Sequence, residues 1–168
     1  QQPRFLNAVC DHRGLVAHGS KHGDLQELLP IRRSSDRCEF GRRQMAFASP
    51  DAMWAMWFAI LDKRRMGGLT RNGCLRIDIL RRWTHKLYFF ALPEHVLVDG
   101  GPFSAGTIYL LPSETFRERD RSWNLGVARV SIEQWGSREP VAPIARLRIE
   151  PDDFPYLSKV QGFRYPAG

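Results

Sequence analysis

Lysine is scarce in this chain. Of 168 residues only 4 are Lys against 21 Arg, so the formal net charge of +7 rests on guanidinium. Guanidinium suits bidentate phosphate recognition better than ammonium does. Two readings of that charge stay open. One is a phosphate-rich partner, either a nucleotide or a nucleic acid. The other is an Arg-biased composition on an ordinary solvated surface. Cysteine is thin as well. Cys10, Cys38 and Cys74 are odd in number and widely spaced, which excludes a disulfide framework and a metal motif. They read as small buried hydrophobes in a reducing compartment. No apolar run approaches the ~18 to 20 residues that a membrane span needs, and no N-terminal signal pattern is visible. The chain opens on Gln1 rather than Met, which fits a module cut from a longer polypeptide. No glycine-rich phosphate loop follows a strand, so neither a Rossmann nor a P-loop reading applies. No His/Cys/Asp cluster has metal-ligand spacing, and no Gly-x-Ser-x-Gly elbow is present. His12, His22, His85 and His95 have no partner at motif spacing and read as surface or structural residues.

What is present suffices for one domain over residues 1–168, with 43% hydrophobic and 11% aromatic residues to build a core. Leu15 to His18 reads as a strand bounded by glycines, and "QMAFASP" as a second short strand. "LQELLP" reads as a turn of helix or irregular chain closed by Pro30, and "IRRSSDRCEFGRR" as a surface loop. Helix evidence is best in "SPDAMWAMWFAILDKRRMGG". There Ser49 suits the N-cap, Pro50 the first helical position and Asp51 the positive end. Lys63, Arg64 and Arg65 complement the negative end, and Gly67-Gly68 stop it. Apolar residues cover most of its circumference, so it is heavily buried or turns an aromatic face to a ligand. Afterwards "CLRIDIL" alternates with period two. "KLYFFAL", "HVLVDGG" and "GTIYLLP" are short apolar runs, "ETFRERDRSW" is a charged linker or short helix, and "GVARVSIEQW" and "PIARLRIEP" are further strands. The end, "DDFPYLSKVQGFRYPAG", is a proline-punctuated tail. The pattern predicts an α+β fold: split, mostly antiparallel sheets around one main buried helix.

The stretch that invites chemistry is "VAHGSKHGD". A strand that stops on His18-Gly19-Ser20 sets an imidazole, an open backbone and a hydroxyl side by side. A strand-end glycine lets a ligand approach the main chain closely. Its N–H and C=O can bond an amide, while the imidazole and the Ser20 hydroxyl can bond sugar hydroxyls. A satisfied structural histidine is the plain alternative. In "MAFASPDAMWAMW" small residues alternate around Phe47 just before the aromatic helix. An aromatic face there suits stacking on a flat heteroaromatic ring, and core packing is the plain alternative for Trp54, Trp57 and Phe58.

"VAHGSK", "AFASPDAMWAMWFAIL", "GTIYLLP" and "SREPVAPIARLRI", in that order, resemble the ADP-ribosyltransferase superfold. The arrangement is similar to rifampin ADP-ribosyltransferases and, more loosely, to the poly(ADP-ribose) polymerase or diphtheria-toxin-like branch. The resemblance implies an enzyme that cleaves the nicotinamide–ribose bond of NAD, its substrate, and passes ADP-ribose to an acceptor. It implies that His18 bonds a ribose hydroxyl, that Gly19 holds the nicotinamide carboxamide and that Ser20 lies beside the adenosine ribose. Phe47 stands where the family usually has a stacking tyrosine, so the ring survives and the phenol hydroxyl does not. Ser49 would bring a hydroxyl near the pocket. The implied acid, which grips the 2′-hydroxyl of the nicotinamide ribose, falls in "SIEQWGSREPVAP". Glu133 is our expectation. Gln134 holds the position next to Trp135 where some related sequences carry Glu. The rifampin-type register would move the acid to "PSETFRERD", at Glu114, Glu118 or Asp120. Arg32/Arg33 and Arg42/Arg43 lie in the loop between the two pocket strands and suit the pyrophosphate.

Bond cleavage of this kind passes through an oxocarbenium-like cation, with a cationic leaving group already in place. A rigidly held ring and a nearby carboxylate are what help. The basic surface favours a nucleic acid acceptor, RNA or DNA, over a protein, and the rifampin-type likeness allows a small molecule. A toxin module acting in the cytoplasm, with an immunity protein or a reversing hydrolase as counterpart, fits the same reading. Two others stand beside it: an NAD-dependent RNA 2′-phosphotransferase, and a catalytically inactive module that binds nucleic acid or protein.

Overall fold

Nine consecutive uncharged residues, Ala52–Ile60, make the helix at the centre of the molecule. The computed structural model describes residues 2–31, 38–66 and 70–164. Helices α1 (Gln2–Arg13), α2 (Ala52–Ile60) and α3 (Lys63–Met66) accompany eleven strands. The first six are β1 (Leu15–Ser20), β2 (Ala46–Ala48), β3 (Arg71–Ile79), β4 (Trp83–Pro93), β5 (Gly106–Pro112) and β6 (Glu118–Arg119). The others are β7 (Ser122–Leu125), β8 (Ala128–Ile132), β9 (Trp135–Ser137), β10 (Ala145–Ile149) and β11 (Gln161–Phe163). They form three sheets, ordered β1-β5-β10, β11-β4-β3-β8-β7 and β2-β9-β6. All pairings are antiparallel except β11 with β4. The fold is α+β. The β2-β9-β6 sheet meets the β1 sheet through a bridge between Ala17 and Ser49.

Helix α2 sits against β1 and β5 because both strands present a glycine beneath it. A Cβ on Gly19 would lie 1.9 Å from the Ala55 carbonyl oxygen, and one on Gly106 would lie 1.8 Å from that of Ala59. On its other side Trp57 is fully buried against Phe90 of β4 (ring centroids 4.9 Å) and Phe154 (5.9 Å). The apolar circumference expected of this helix is therefore filled by core on two sides. Trp54 is buried too, and its indole N–H donates to Asn72 Oδ1 at 2.8 Å. A second, smaller core lies on the opposite face of β1 and β5, among Val16, Tyr109, Leu111, Phe116 and Val141.

The helix ends differ from the sequence expectation. The N-cap is Asp51, whose carboxylate accepts from Trp54 N–H at 2.8 Å. Ser49 is drawn out of that role by its backbone pairing with Ala17 (2.7 and 2.9 Å). At the far end the chain leaves the helix at Leu61, which bridges to Phe103. Lys63, Arg64 and Arg65 thus belong to the single turn of α3, not to the end of α2. Gly67 and Gly68 lie outside the described residues.

Other segments depart as well. Helix α1 has no counterpart in our reading. It buries Leu6 and Cys10, and Asn7 Oδ1 accepts from Ala52 N–H at 2.7 Å. "HVLVDGG" falls in two 3₁₀ turns, Glu94–Val96 and Val98–Gly100. "LQELLP" takes the irregular one of its two expected forms, with Leu28 bridging to Val141. "ETFRERDRSW" supplies β6 and the start of β7. Part of the tail is ordered as two 3₁₀ turns and β11.

Candidate functional site

β1 is an edge strand of its sheet, and its bonding pattern decides what that edge offers. Ala17 N–H donates to the Ser49 carbonyl and Ala17 C=O accepts from Ser49 N–H. The main-chain groups of Ala17 therefore point away from β5. Strand geometry turns those of Gly19, two residues on, the same way. By then β2 has ended and the chain is entering α2. Among the described residues no strand pairs with the edge at Gly19. The seat for α2 also gives Gly19 a reason to be glycine that involves no ligand.

His18 faces the opposite side from Gly19, beside Tyr109. Its Nδ1 lies 2.8 Å from the Phe47 carbonyl oxygen. A carbonyl only accepts, so Nδ1 carries the hydrogen of this contact. Phe47 is half-buried, with its ring edge-on to Phe40 at 5.7 Å. Ser20 Oγ accepts from His22 N–H at 3.1 Å, which leaves the hydroxyl hydrogen available. Ser49 Oγ donates to the Glu133 carbonyl at 2.7 Å and accepts from Asp51 N–H at 2.9 Å. Its hydrogen is used, so what it can offer a ligand is a lone pair. Arg32 and Arg33 lie outside the described residues. Arg43 pairs with Glu39 (3.2 Å) and Glu118 (3.5 Å), while Arg42 is exposed.

The carboxylate candidates separate clearly. Glu133 is 5% exposed. Its backbone is pinned between the two halves of the fold: N–H donates to the Cys74 carbonyl of β3 at 3.1 Å, and C=O accepts from Ser49. Among the described residues its carboxyl accepts no hydrogen bond. Burial holds that carboxyl above its ordinary range, against the pull of Lys86 and Arg76. Glu118 is committed to Arg138 (2.8 Å) and Arg43. Glu114 is exposed. Asp120 is buried, with its N–H donating to the Gln134 carbonyl at 3.0 Å and its Oδ1 accepting from Arg121 N–H. Gln134 itself is half-buried. Hydrogen bonds thus link the His18 ring to the Phe47 backbone and the Ser49 hydroxyl to the Glu133 backbone at one junction, beside Gly19, which is itself buried. Glu114 and Glu118 have no part in it.

Two features were not legible as site elements. Asp51, fully buried, accepts from Lys86 Nζ at 2.8 Å and Tyr88 OH at 2.7 Å in addition to capping α2. Burial opposes the Lys86 charge, but Asp51 leaves its pKa above the ordinary value. The signal was the parity of β4, where Lys86 and Tyr88 share the inward face with Phe90. The second is Lys21, one residue beyond the strand. Its ammonium donates to the carbonyls of Ile60 (3.2 Å), Ser104 (2.7 Å) and Ala105 (2.8 Å), closing the C-terminal end of α2. The Arg119 guanidinium also stacks on Trp135, 3.5 Å from the ring centroid.

Two surface hollows lie elsewhere. One of about 390 Å³ is lined by Glu94, His95, Phe163 and Arg164, and one of about 240 Å³ by Leu25, Gln26 and residues 143–146. Among the described residues no group of three or more His, Cys, Asp or Glu is placed to hold a metal ion, and no helix is long and apolar enough to cross a membrane. Comparison with family models, with curated proteins and with solved structures returns no match for this chain.

Proposed function

We propose that this chain is an NAD-dependent mono-ADP-ribosyltransferase whose site is the edge of β1 at Gly19. The observation that carries the reading is the junction itself. A glycine edge without a strand partner among the described residues, an imidazole held by the Phe47 carbonyl and the backbone of a buried glutamate, Glu133, are tied together through Phe47 and Ser49. In this reading Gly19 N–H and C=O take the nicotinamide carboxamide, and the Phe47 ring stacks on the nicotinamide. The His18 ring bonds a ribose hydroxyl, and Glu133 holds the 2′-hydroxyl. The C1′–N bond breaks with its electron pair leaving on the nicotinamide nitrogen, which neutralises that ring. The cationic ribose carbon that remains is attacked by the acceptor, which gives up a proton. A preorganised carboxylate beside that cation is worth about 100-fold or more in rate. A nucleic acid acceptor agrees with the net charge of +7. Cytoplasmic action agrees with the buried thiols of Cys10 and Cys74.

The test is nicotinamide release from labelled NAD, followed by mass spectrometry of RNA, DNA and protein offered as acceptors. His18→Ala is expected to abolish NAD binding by calorimetry. Glu133→Ala is expected to abolish release, and Gln134→Glu to leave it within about threefold. If Glu133→Ala turns over normally while Gln134→Glu gains activity, the acid belongs at position 134. The deep burial of Glu133 favours a second reading, a module that binds NAD without cleaving it. Tight binding with no release would select that reading, and absence of binding would sink both.

A further inference from the structure

The five-stranded sheet carries an apolar face that nothing covers among the described residues. Cross-strand register puts alternate residues of β3, β4, β8 and β7 on one side. Trp83, Leu87, Phe89, Trp123 and Leu125 stand there, each between 43% and 63% exposed. Ile77 and Ile79 lie between them on β3. Taking about 200 Å² for a large side chain, the five exposed residues alone leave on the order of 500 Å² of apolar surface in water. That is near the upper end of what a monomer exposes, and such patches mark interaction sites. Completed by its surroundings, it approaches the ~800 Å² per partner of a standard protein interface.

Its border is rich in arginine, although Arg121 also lies 3.8 Å from the Asp120 carboxylate. Arg82 stacks on Trp83 (5.6 Å) and Arg121 on Trp123 (5.7 Å), and Arg71 covers Phe163 (4.3 Å) at the opposite end. No Asp or Glu occupies an outward position on β3, β4, β7 or β8. An apolar centre with an arginine border is the anatomy of a protein interface, and that border selects its partner by charge. A second copy of this chain would bring arginine against arginine, with no carboxylate at the outward positions of these strands to pair. A nucleic acid would meet the border, yet the aliphatic centre at Ile77, Ile79 and Leu87 has nothing to give a base or a phosphate.

We propose that this face docks a protein whose contact surface is apolar at its centre and acidic at its edge. The proposal stands apart from any nucleotide chemistry at β1. The probes are a short amphipathic helical peptide with a Leu/Trp stripe flanked by Glu, its twin with Lys for every Glu, and a labelled oligothymidylate. Binding is read by fluorescence anisotropy at low and high salt, alongside sedimentation of the chain alone. The acidic peptide is expected to bind at least about tenfold more tightly than its twin, with the preference shrinking as salt rises. Leu87→Glu is expected to remove that binding. The double variant Arg82→Glu, Arg121→Glu, which changes only exposed border positions, is expected to reverse the preference between the twins. Equal binding of the twins overturns the proposal, as does binding of neither. So does tighter binding of oligothymidylate, or a dimer of the chain that Leu87→Glu dissolves.

Discussion

The sheets on either side of α2 treat their outward surfaces in opposite ways. Behind β1 and β5 a second core of Val16, Tyr109, Leu111 and Phe116 closes the far face, and what lacks a strand partner among the described residues is the main chain at Gly19. Behind β3 and β4 the far face is left bare, and what is open there is side chain: Trp83, Leu87 and Phe89. The first region offers directional hydrogen bonds, which suit a small polar ligand. The second offers area and a charged border, which suit a macromolecule. One helix serves both, and Asp51 joins them by capping α2 while binding Lys86 and Tyr88 of β4.

That joint is where the contrast breaks most severely. Asp51→Ala removes the cap and strands a buried ammonium, so both regions should loosen together at a cost of about 3–5 kcal/mol in urea unfolding. Separate transitions for the two sheets would refute the shared joint. The next largest effect confines itself to the first region. Glu133→Gln should cut nicotinamide release by about 100-fold without lowering the unfolding midpoint, because it replaces a buried ionisable group by a neutral one of equal size.

The same variant carries a pH signature. Burial raises the Glu133 carboxyl above its ordinary value of 4.5, so the folded chain binds that proton more tightly than the unfolded chain. Its contribution to stability is fully present below the unfolded value and is lost as pH rises through the folded one. The stability of Glu133→Gln relative to the native chain should therefore grow with pH across that window. A flat difference would place the carboxyl in water. The smallest effect belongs to the second region. Leu87→Ser and Trp83→Ser should each shift stability by no more than about 0.5 kcal/mol, since both side chains are already half in solvent. A larger loss would mean that the bare face is packed in solution.

Period and punctuation made much of this legible. The run "GTIYLLP" is β5 without error, and "PIARLRIEP" and "CLRIDIL" lie on β10 and β3. The uncharged run at Ala52–Ile60 was visible as a buried helix for the same reason. The helix cap was misplaced because Ser49 and Asp51 carry equal local signals, and only the pairing of Ser49 with Ala17 separates them. Helix α1 escaped because its first turn holds no acid and its apolar residues keep no clean period. At the site, His18 and Gly19 were readable as a strand end. That Gly19 also admits α2 was not readable, since Ala55 is 36 residues away in sequence. Likewise no local pattern distinguishes Glu133 from Glu118, and it takes Arg138 and Arg43 to show that Glu118 is already engaged.

Lys21 holds three carbonyls at the far end of α2 while the strand that carries His18 ends one residue earlier. With Asp51 gripping the near end and Gly19 pressed beneath the middle, the helix is latched to β1 at three points along its length. A molecule arriving at that edge would meet main chain already held in place, with little left to freeze on contact. Amide exchange at Ala17, His18 and Ser20 should accordingly be slow in the empty protein, and protection of Gly19 N–H, which no strand pairs among the described residues, should rise when a ligand is added.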